Sequence, residues 1–278
     1  MTNASPADIS ELVTFADPPV GEVAISVQLA GPVADATVTL GQFWPRINGD
    51  YPLVETQPVL PPISEDFGPA QLVPSISFQL LGPASRYWLL SADATELVQV
   101  QPDRFGYNWR KEPVEKPYPR YRYIRQQFVA TFSEFIAAVE TAGGTVQPTW
   151  CEVTYINPIP SMDADRELPD LSRILRRISP HESSVLPQRP QGTTLAERFL
   201  LSRDGVPYGR FYLSVNTGLR RTDQMPMHIL TLTARALAAS PDLTGVLTVL
   251  DEGRDLIVRS FREITTEEMH ELWGLSDD

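Results

Sequence analysis

The stretch Arg86-Tyr-Trp-Leu-Leu-Ser-Ala-Asp-Ala-Thr-Glu-Leu-Val-Gln-Val-Gln-Pro-Asp-Arg-Phe-Gly-Tyr-Asn-Trp-Arg-Lys111 decides the fold. It reads as two strands meeting at a polar turn around Asp93, the second running on into an aromatic and basic tail. Val98 and Val100 alternate with Gln99 and Gln101, the period of a strand buried on one face and wet on the other. Phe105, Tyr107 and Trp109 then share one parity while Arg104, Asn108 and Arg110 share the other, so the apolar parity slips by one position. Such a slip turns every later side chain to the opposite face, and a bulge or bend at Pro102-Asp103 is the expected device for absorbing it. The bulge would either re-aim side chains toward a site or close a sheet corner over a core.

Upstream, Val23, Ile25, Val27 and Leu29 alternate with Glu22, Ala24, Ser26 and Gln28, which predicts a strand. Leu40, Phe43, Trp44 and Ile47 follow at helical spacing, closed by Pro52. The proline-rich passage 58–74 reads as an extended connection with at most edge pairing, because proline cannot donate to a ladder. Residues 75–81 are expected to enter the sheet. Downstream, Ile124, Phe128, Thr131, Phe132, Phe135 and Val139 form the stripe of a long helix that Gly143-Gly144 stops. A strand over 149–156 is expected to end at Pro158 and Pro160, and a short amphipathic helix bearing Arg173, Arg176 and Arg177 to follow.

Residues 196–202 and 208–219 predict a hairpin around Asp204-Gly205, since that pair favours the positive φ of tight turns. A strand over 227–237 comes next, and 245–250 reads as a fourth strand or a helix lead-in. Leu256, Ile257, Phe261 and Ile264 then make a helical stripe, and Thr265-Thr266-Glu267-Glu268 matches a capping box that restarts a helix through Met269, Leu272 and Trp273. The predicted class is α+β, antiparallel sheets with helices packed on one face. Two similar halves are expected, 21–160 and 194–278, after a loose leader 1–20 and joined by a connecting segment 161–193; no sequence repeat accompanies them.

The chain has 278 residues, enough for one large core or two small ones, and a formal charge of -12. That charge argues against nonspecific attraction to nucleic acid or anionic lipid over the whole molecule. It is uneven: residues 1–70 hold nine acids against Arg46 alone, whereas 104–125 hold seven bases against Glu112 and Glu115. One cysteine, Cys151, excludes an intrachain disulfide and a cysteine-built zinc site and suits a reducing compartment. There is no basic region followed by an apolar core near residue 1, and no run of roughly 18 apolar residues, so a cytoplasmic location and no membrane partner are expected.

The three histidines, His181, His228 and His270, have no second ligand at helical or turn spacing, so no metal site is expected. His228 reads as a satisfied buried imidazole in a strand. Cys151 shares its strand face with Val153 and Tyr155 and reads as a small core residue rather than a nucleophile. No Gly-x-Ser-x-Gly and no glycine-rich phosphate loop is present, so no cofactor and no catalytic residue is assigned. The cluster that rises above background is Arg104, Tyr107, Asn108, Trp109, Arg110, Arg120 and Tyr121, where cations interleave with aromatics as binding residues do. Its bland counterpart is aromatics in the core and cations paired with the acidic first 70 residues.

The opening Pro18-Pro19-Val20-Gly21-Glu22-Val23, the Phe43-Trp44 pair, Leu97 through Lys111, Tyr118-Pro119-Arg120-Tyr121, Val153 through Asn157 and the helix Phe261 to Trp273 together resemble a sporadically distributed, uncharacterised bacterial family of about this length. The resemblance spans nearly the whole chain. It transfers no activity, cofactor or catalytic residue; patchy distribution would suit an accessory gene in a defence, toxin-antitoxin or specialised biosynthetic locus.

These readings favour a non-catalytic cytoplasmic binding or adaptor protein with a protein partner, contacted through the seven residues named above. The alternative is a small-ligand-binding protein or enzyme with a pocket between sheet and helix, where Arg104 or Arg110 converges with Asp103, Asn108 or His228. Nucleic-acid binding is the third reading, disfavoured by net acidity.

Overall fold

The computed structural model describes residues 14–33, 36–63, 65–67, 85–161, 167–180, 185 and 190–276. In chain order its elements are β1 (Thr14–Phe15), β2 (Glu22–Leu29), α1 (Ala36–Ile47), β3 (Leu53–Pro58), β4 (Ser85–Leu90), β5 (Glu96–Gln101), β6 (Arg104–Arg110), α2 (Arg120–Thr141) and β7 (Pro148–Pro160). There follow α3 (Leu171–Ile174), β8 (Leu195–Arg203), β9 (Val206–Leu219), β10 (Pro226–Leu237), α4 (Leu243–Ile264), α5 (Glu267–Leu272) and β11 (Leu275–Ser276). The fold is α+β. Nine strands form one antiparallel sheet in the order β3-β4-β5-β6-β2-β7-β10-β9-β8, and β1 pairs with β11 in a separate two-stranded ribbon.

The parity slip is the arithmetic of a hairpin. Pro102 and Asp103 are a two-residue connection between β5 and β6, with Gln101 opposite Arg104, Val100 opposite Phe105 and Val98 opposite Tyr107. Residues that pair sum to an odd number, so even positions on β5 share a face with odd positions on β6. The expected bulge within one continuing strand is therefore wrong: the chain reverses, and no side chain has to be re-aimed. The turn is held from outside, since Leu29 N–H donates to Asp103 O and Val33 N–H to Pro102 O.

In the inner strands β2, β5, β6, β7, β9 and β10 the fully apolar parity faces the helices. Phe105, Tyr107 and Trp109 are 0–1% exposed and pack with Val23, Ile25 and Val27 beneath α2, where Phe128, Phe132 and Phe135 supply the apolar stripe. Phe105 lies 5.0 Å from Phe135 and 5.1 Å from Phe132, ring centre to ring centre, and Phe43 of α1 stands edge-on to Phe135 at 5.6 Å. Such pairs add about 0.5–1.5 kcal/mol each beyond the area they bury.

The chain lays down the sheet in two passes of similar plan, the first of five strands and the second of four. β2 begins one set of strands whose last member, β6, returns to pair with it before α2; β7 begins a second set whose last member, β10, returns to pair with it before α4. Both helices are 22 residues long, and β2 and β7 pair with each other at the centre of the sheet.

Several local expectations are corrected. β7 continues through Pro158 and Pro160. Gly21 N–H donates to Ile156 O at the end of β2, so the missing N–H groups of these prolines point past that end, where no strand asks for them. A Cβ on Gly21 would stand 2.7 Å from Pro158 Cδ, which is why glycine precedes β2. Of the two readings of 245–250 the helical one holds: the segment lies inside α4, capped by Asp242, whose carboxylate accepts from Gly245 N–H at 2.8 Å. The amphipathic helix near 171 is one turn long, and its arginines are spent on Glu268, Thr265 O and Glu197. The cap of α5 is Thr266, one residue later than the capping box implies, with Glu268 turned to Arg173 instead of the helix start. Asp204 (φ 52°) and Gly205 (φ 79°) make the β8–β9 turn, as their residue types predict. The expected strand over 75–81 lies outside the described residues.

Candidate binding groove

The described helices occupy one face of the sheet, which leaves the polar parity of nine strands on the other. A strap covers part of that face. After β3, residues 59–63 and 65–67 lie across the strands, and two glutamines bracket the first of these segments. Gln101 accepts from Leu60 N–H and donates to Leu60 O, both at 3.1 Å. Gln28 does the same for Ile63, donating to its carbonyl at 3.2 Å and accepting from its N–H. The far end is tied by charge: Glu65, whose side chain is 6% exposed, pairs with Arg210 at 3.0 Å and Arg235 at 2.6 Å and accepts from the Tyr212 hydroxyl. Arg235 also holds Glu152.

Beside the strap the face opens into a groove of about 800 Å³. Its apolar surfaces come from Trp88 and Leu90 on β4 and from Ile156, Pro158 and Ile229 on β7 and β10. Between them stand Arg110 and Glu22, directly opposite each other on β6 and β2. The rim is built from the loop after β6, with Lys111, Glu112 and Glu115, and from the β9–β10 turn, with Arg220 and Arg221.

Trp88 is flanked by two guanidinium groups, Arg86 at 5.4 Å and Arg110 at 5.5 Å from its ring centre. A fixed hydrogen-bond series leads from there across four strands. Arg86 and Trp88 both donate to Gln99 Oε1, Gln99 Nε2 donates to Asn108 Oδ1, and Asn108 Nδ2 donates to Glu22 Oε1. Burial raises the Glu22 carboxyl above its ordinary value, against the opposing pull of Asn108 and the Arg110 charge. Arg110 donates from Nη2 to Ala94 O at 2.9 Å, while its buried Nε has no acceptor. It makes no ion pair among the described residues.

The structure separates the seven residues singled out in the sequence. Arg110 lines the groove, and Asn108 lies beneath it in the amide series. Arg104 donates to Pro61 O at 2.9 Å and to Gln28 at 3.1 Å, so it helps fasten the strap. Tyr107 and Trp109 are buried on the helix side, Tyr107 with its hydroxyl on Glu96 at 2.6 Å and Trp109 against Tyr118 at 5.5 Å. Tyr121 is buried with its hydroxyl on Asp251, and Arg120 donates to Phe15 O at 2.9 Å. These last two line a separate, smaller cavity between sheet and helices. Sequence reasoning missed Glu22, Trp88, Ile156, Ile229 and Arg220. The available signal was register: Trp88 shares the parity of Arg86 and Leu90, and once β4, β5 and β6 are read as a meander that parity falls beside Gln99 and Asn108.

His228 and Cys151 sit where their strand parity puts them. His228 is 1% exposed with Nε2 2.9 Å from Pro169 O, and burial lowers its pKa. Cys151 is 1% exposed, and burial pushes its thiol up to about 12. Among the described residues no group of three or more His, Cys, Asp or Glu is placed to hold a metal ion, and no helix is long and apolar enough to cross a membrane. No protein-family model matches the chain, and no curated protein matches it.

Proposed function

We propose that the protein is a non-catalytic binding protein that seats a short segment of a protein partner in the groove beside the strap. The observation that carries this reading is the Arg86–Trp88–Arg110 stack at the edge of an 800 Å³ groove with apolar side chains on both flanks. Tryptophan and arginine anchor protein interfaces because each buries a large flat surface while keeping a polar edge to pair. The amide series from Gln99 to Glu22 holds these anchors in one geometry before a partner arrives, which lowers the ordering cost of binding. The charge around the groove is balanced, with Glu22, Glu55, Glu112 and Glu115 against Arg110, Lys111, Arg220 and Arg221. A nucleic-acid backbone needs a broad surplus of cations, so this balance favours a polypeptide of mixed charge. An accessory role in a bacterial locus accords with the same reading.

The test is site-specific photo-crosslinking of the full chain in the cells that make it. A photo-reactive residue in place of Lys111 or Arg221 is expected to trap a discrete polypeptide, and Trp88→Ala combined with Arg110→Ala to reduce that product at least tenfold. A probe in place of Val38, on the helix side, is expected to trap none of it. Equal capture from both faces, or capture indifferent to the double substitution, would refute the reading.

A further inference from the structure

The smaller cavity, about 90 Å³, lies between α2, α4, the C-terminal half of β7 and the chain leading into β2. Its apolar wall is Phe15, Val20, Ile257 and Phe261. A core under pressure only to pack would fill such a space with aliphatic side chains. Here it is ringed instead by the guanidinium groups of Arg120 and Arg254 and the phenols of Tyr118, Tyr121 and Tyr155.

The polar groups around it are not fully spent. Tyr118 and Tyr155 share one hydrogen bond, hydroxyl to hydroxyl at 3.0 Å, so one of their two hydroxyl hydrogens remains to donate elsewhere. The Nε of Arg254 is buried with no acceptor, an omission that costs about 1–3 kcal/mol when nothing fills it. Arg254 has a carboxylate neighbour, Asp255, at 3.2 Å, whereas Arg120 donates only to the carbonyls of Phe15 and Ala16. Asp251, the nearby acid on α4, is taken by Arg125 and Tyr121. Arg120 is solvent-exposed and Arg254 is not, so the mouth of the cavity carries one positive charge without a counter-ion among the described residues. At roughly 15 Å³ of cavity for each water-sized occupant, the space takes about six non-hydrogen atoms.

We propose that this cavity binds a small monocarboxylate with a short aliphatic tail. The carboxylate meets the guanidinium groups and the free phenol hydrogen, and the tail lies against Phe15, Ile257 and Phe261. A single unmatched cation balances a monoanion, while a dianion would bring a second charge into a mostly apolar space at several kcal/mol of desolvation. This site is on the opposite side of the sheet from the groove and does not depend on it.

The experiment titrates the full chain by calorimetry and NMR with butyrate, its neutral isostere butyramide, and inorganic phosphate at constant ionic strength. Butyrate is expected to bind saturably at one site, with butyramide and phosphate at least tenfold weaker. Arg254→Gln and Arg120→Gln are each expected to weaken butyrate at least tenfold, and Val206→Ala, on the exposed β8–β9 turn, to leave it unchanged. If Arg254→Gln does not fold, Arg120→Gln decides alone. Absence of saturable butyrate binding, equal binding of butyramide, or affinity indifferent to both arginine substitutions would overturn the proposal.

Discussion

Gln99 donates from Nε2 to Asn108 Oδ1 at 2.6 Å, and that bond fixes which way both side-chain amides face. With Gln99 Oε1 already accepting from Arg86 and Trp88, and Asn108 Nδ2 already donating to Glu22, neither amide can turn over without breaking the series at two places. The groove's stacked tryptophan and its buried carboxylate are thereby linked across four strands by side chains that each have one orientation.

Asn108→Asp replaces the donor facing Glu22 with a second carboxylate. At pH 7 two like charges then adjoin in a partly buried setting, and the Gln99 amide gains nothing new. A loss of about 1–3 kcal/mol in unfolding free energy is expected at pH 7, shrinking toward pH 4 as Glu22, whose carboxyl burial holds above its ordinary value, takes up its proton. Urea denaturation of the variant at pH 7 and pH 4 measures both parts. A loss of the same size at the two values would show that charge is not its cause.

Glu22→Gln tests the raised carboxyl directly. Because burial lifts the folded pKa above the ordinary value of 4.5, the folded state holds the proton more tightly than the unfolded chain, and this side chain withdraws stability as the pH rises above 4.5. Glutamine keeps the acceptor for Asn108 and never ionises. The variant is expected to be at least as stable as the native chain at pH 7 and to converge with it at pH 3.5. A variant less stable than the native chain at pH 7 would mean that the Arg110 charge outweighs burial.

Much of the fold is legible in the sequence because burial on one face of a sheet writes period two wherever it occurs. β2, β9 and β10 and the stripes of α2 and α4 follow from that rule and its helical counterpart. The hairpin at Pro102-Asp103 was legible only in part: a change of parity is common to a bulge and to a reversal through an even-numbered loop, and nothing within one strand distinguishes them. The same ambiguity hid the groove. Aromatic and cationic residues alternate along β6, so they form one cluster in sequence, yet alternation is what sends Tyr107 and Trp109 under α2 and Arg110 to the open side. Trp88 and Glu22 lie 22 residues or more from Arg110 and meet it only through pairing across the sheet.

His228 is expected to give the fold an acid-side weakness. Its Nε2 faces the Pro169 carbonyl, so that nitrogen carries the hydrogen in the neutral ring, and its buried Nδ1 has no partner to receive a second proton's bond. Burial therefore lowers the folded pKa below 6.5, and His270, buried beside Arg176 and Arg262, is lowered as well. The unfolded chain binds these protons first, so their contribution is fully present above pH 6.5 and declines as the pH falls below it. Thermal unfolding followed from pH 8 to pH 5 is expected to show a falling Tm, with a gentler slope in His228→Gln. An unchanged slope in that variant would assign the effect elsewhere.

The strap across the open face is expected to open by itself when its charged end is cut. Glu65 answers Arg210 and Arg235 together, but the two arginines are not equally dependent on it, since Arg235 keeps Glu152 at 2.5 Å and Arg210 has no second carboxylate among the described residues. Glu65→Ala therefore leaves Arg210 without a carboxylate, its remaining acceptor being the Asp66 carbonyl, at a cost on the order of 3 kcal/mol for a buried pair losing one member. The sheet beneath is bonded strand to strand and does not need the strap, so the loss should appear as local opening ahead of global unfolding. Amide hydrogen exchange reads this at Leu60 and Ile63, whose N–H groups are held by Gln101 and Gln28. Exchange at both amides is expected to accelerate at least tenfold in Glu65→Ala while Val98 and Val153 in the core strands stay protected. Unchanged exchange at Ile63 would mean that the glutamine brackets and the Arg104 bond to Pro61 O hold the strap without Glu65, and acceleration spread evenly through β5 and β7 would mean that the strap and the sheet unfold as one.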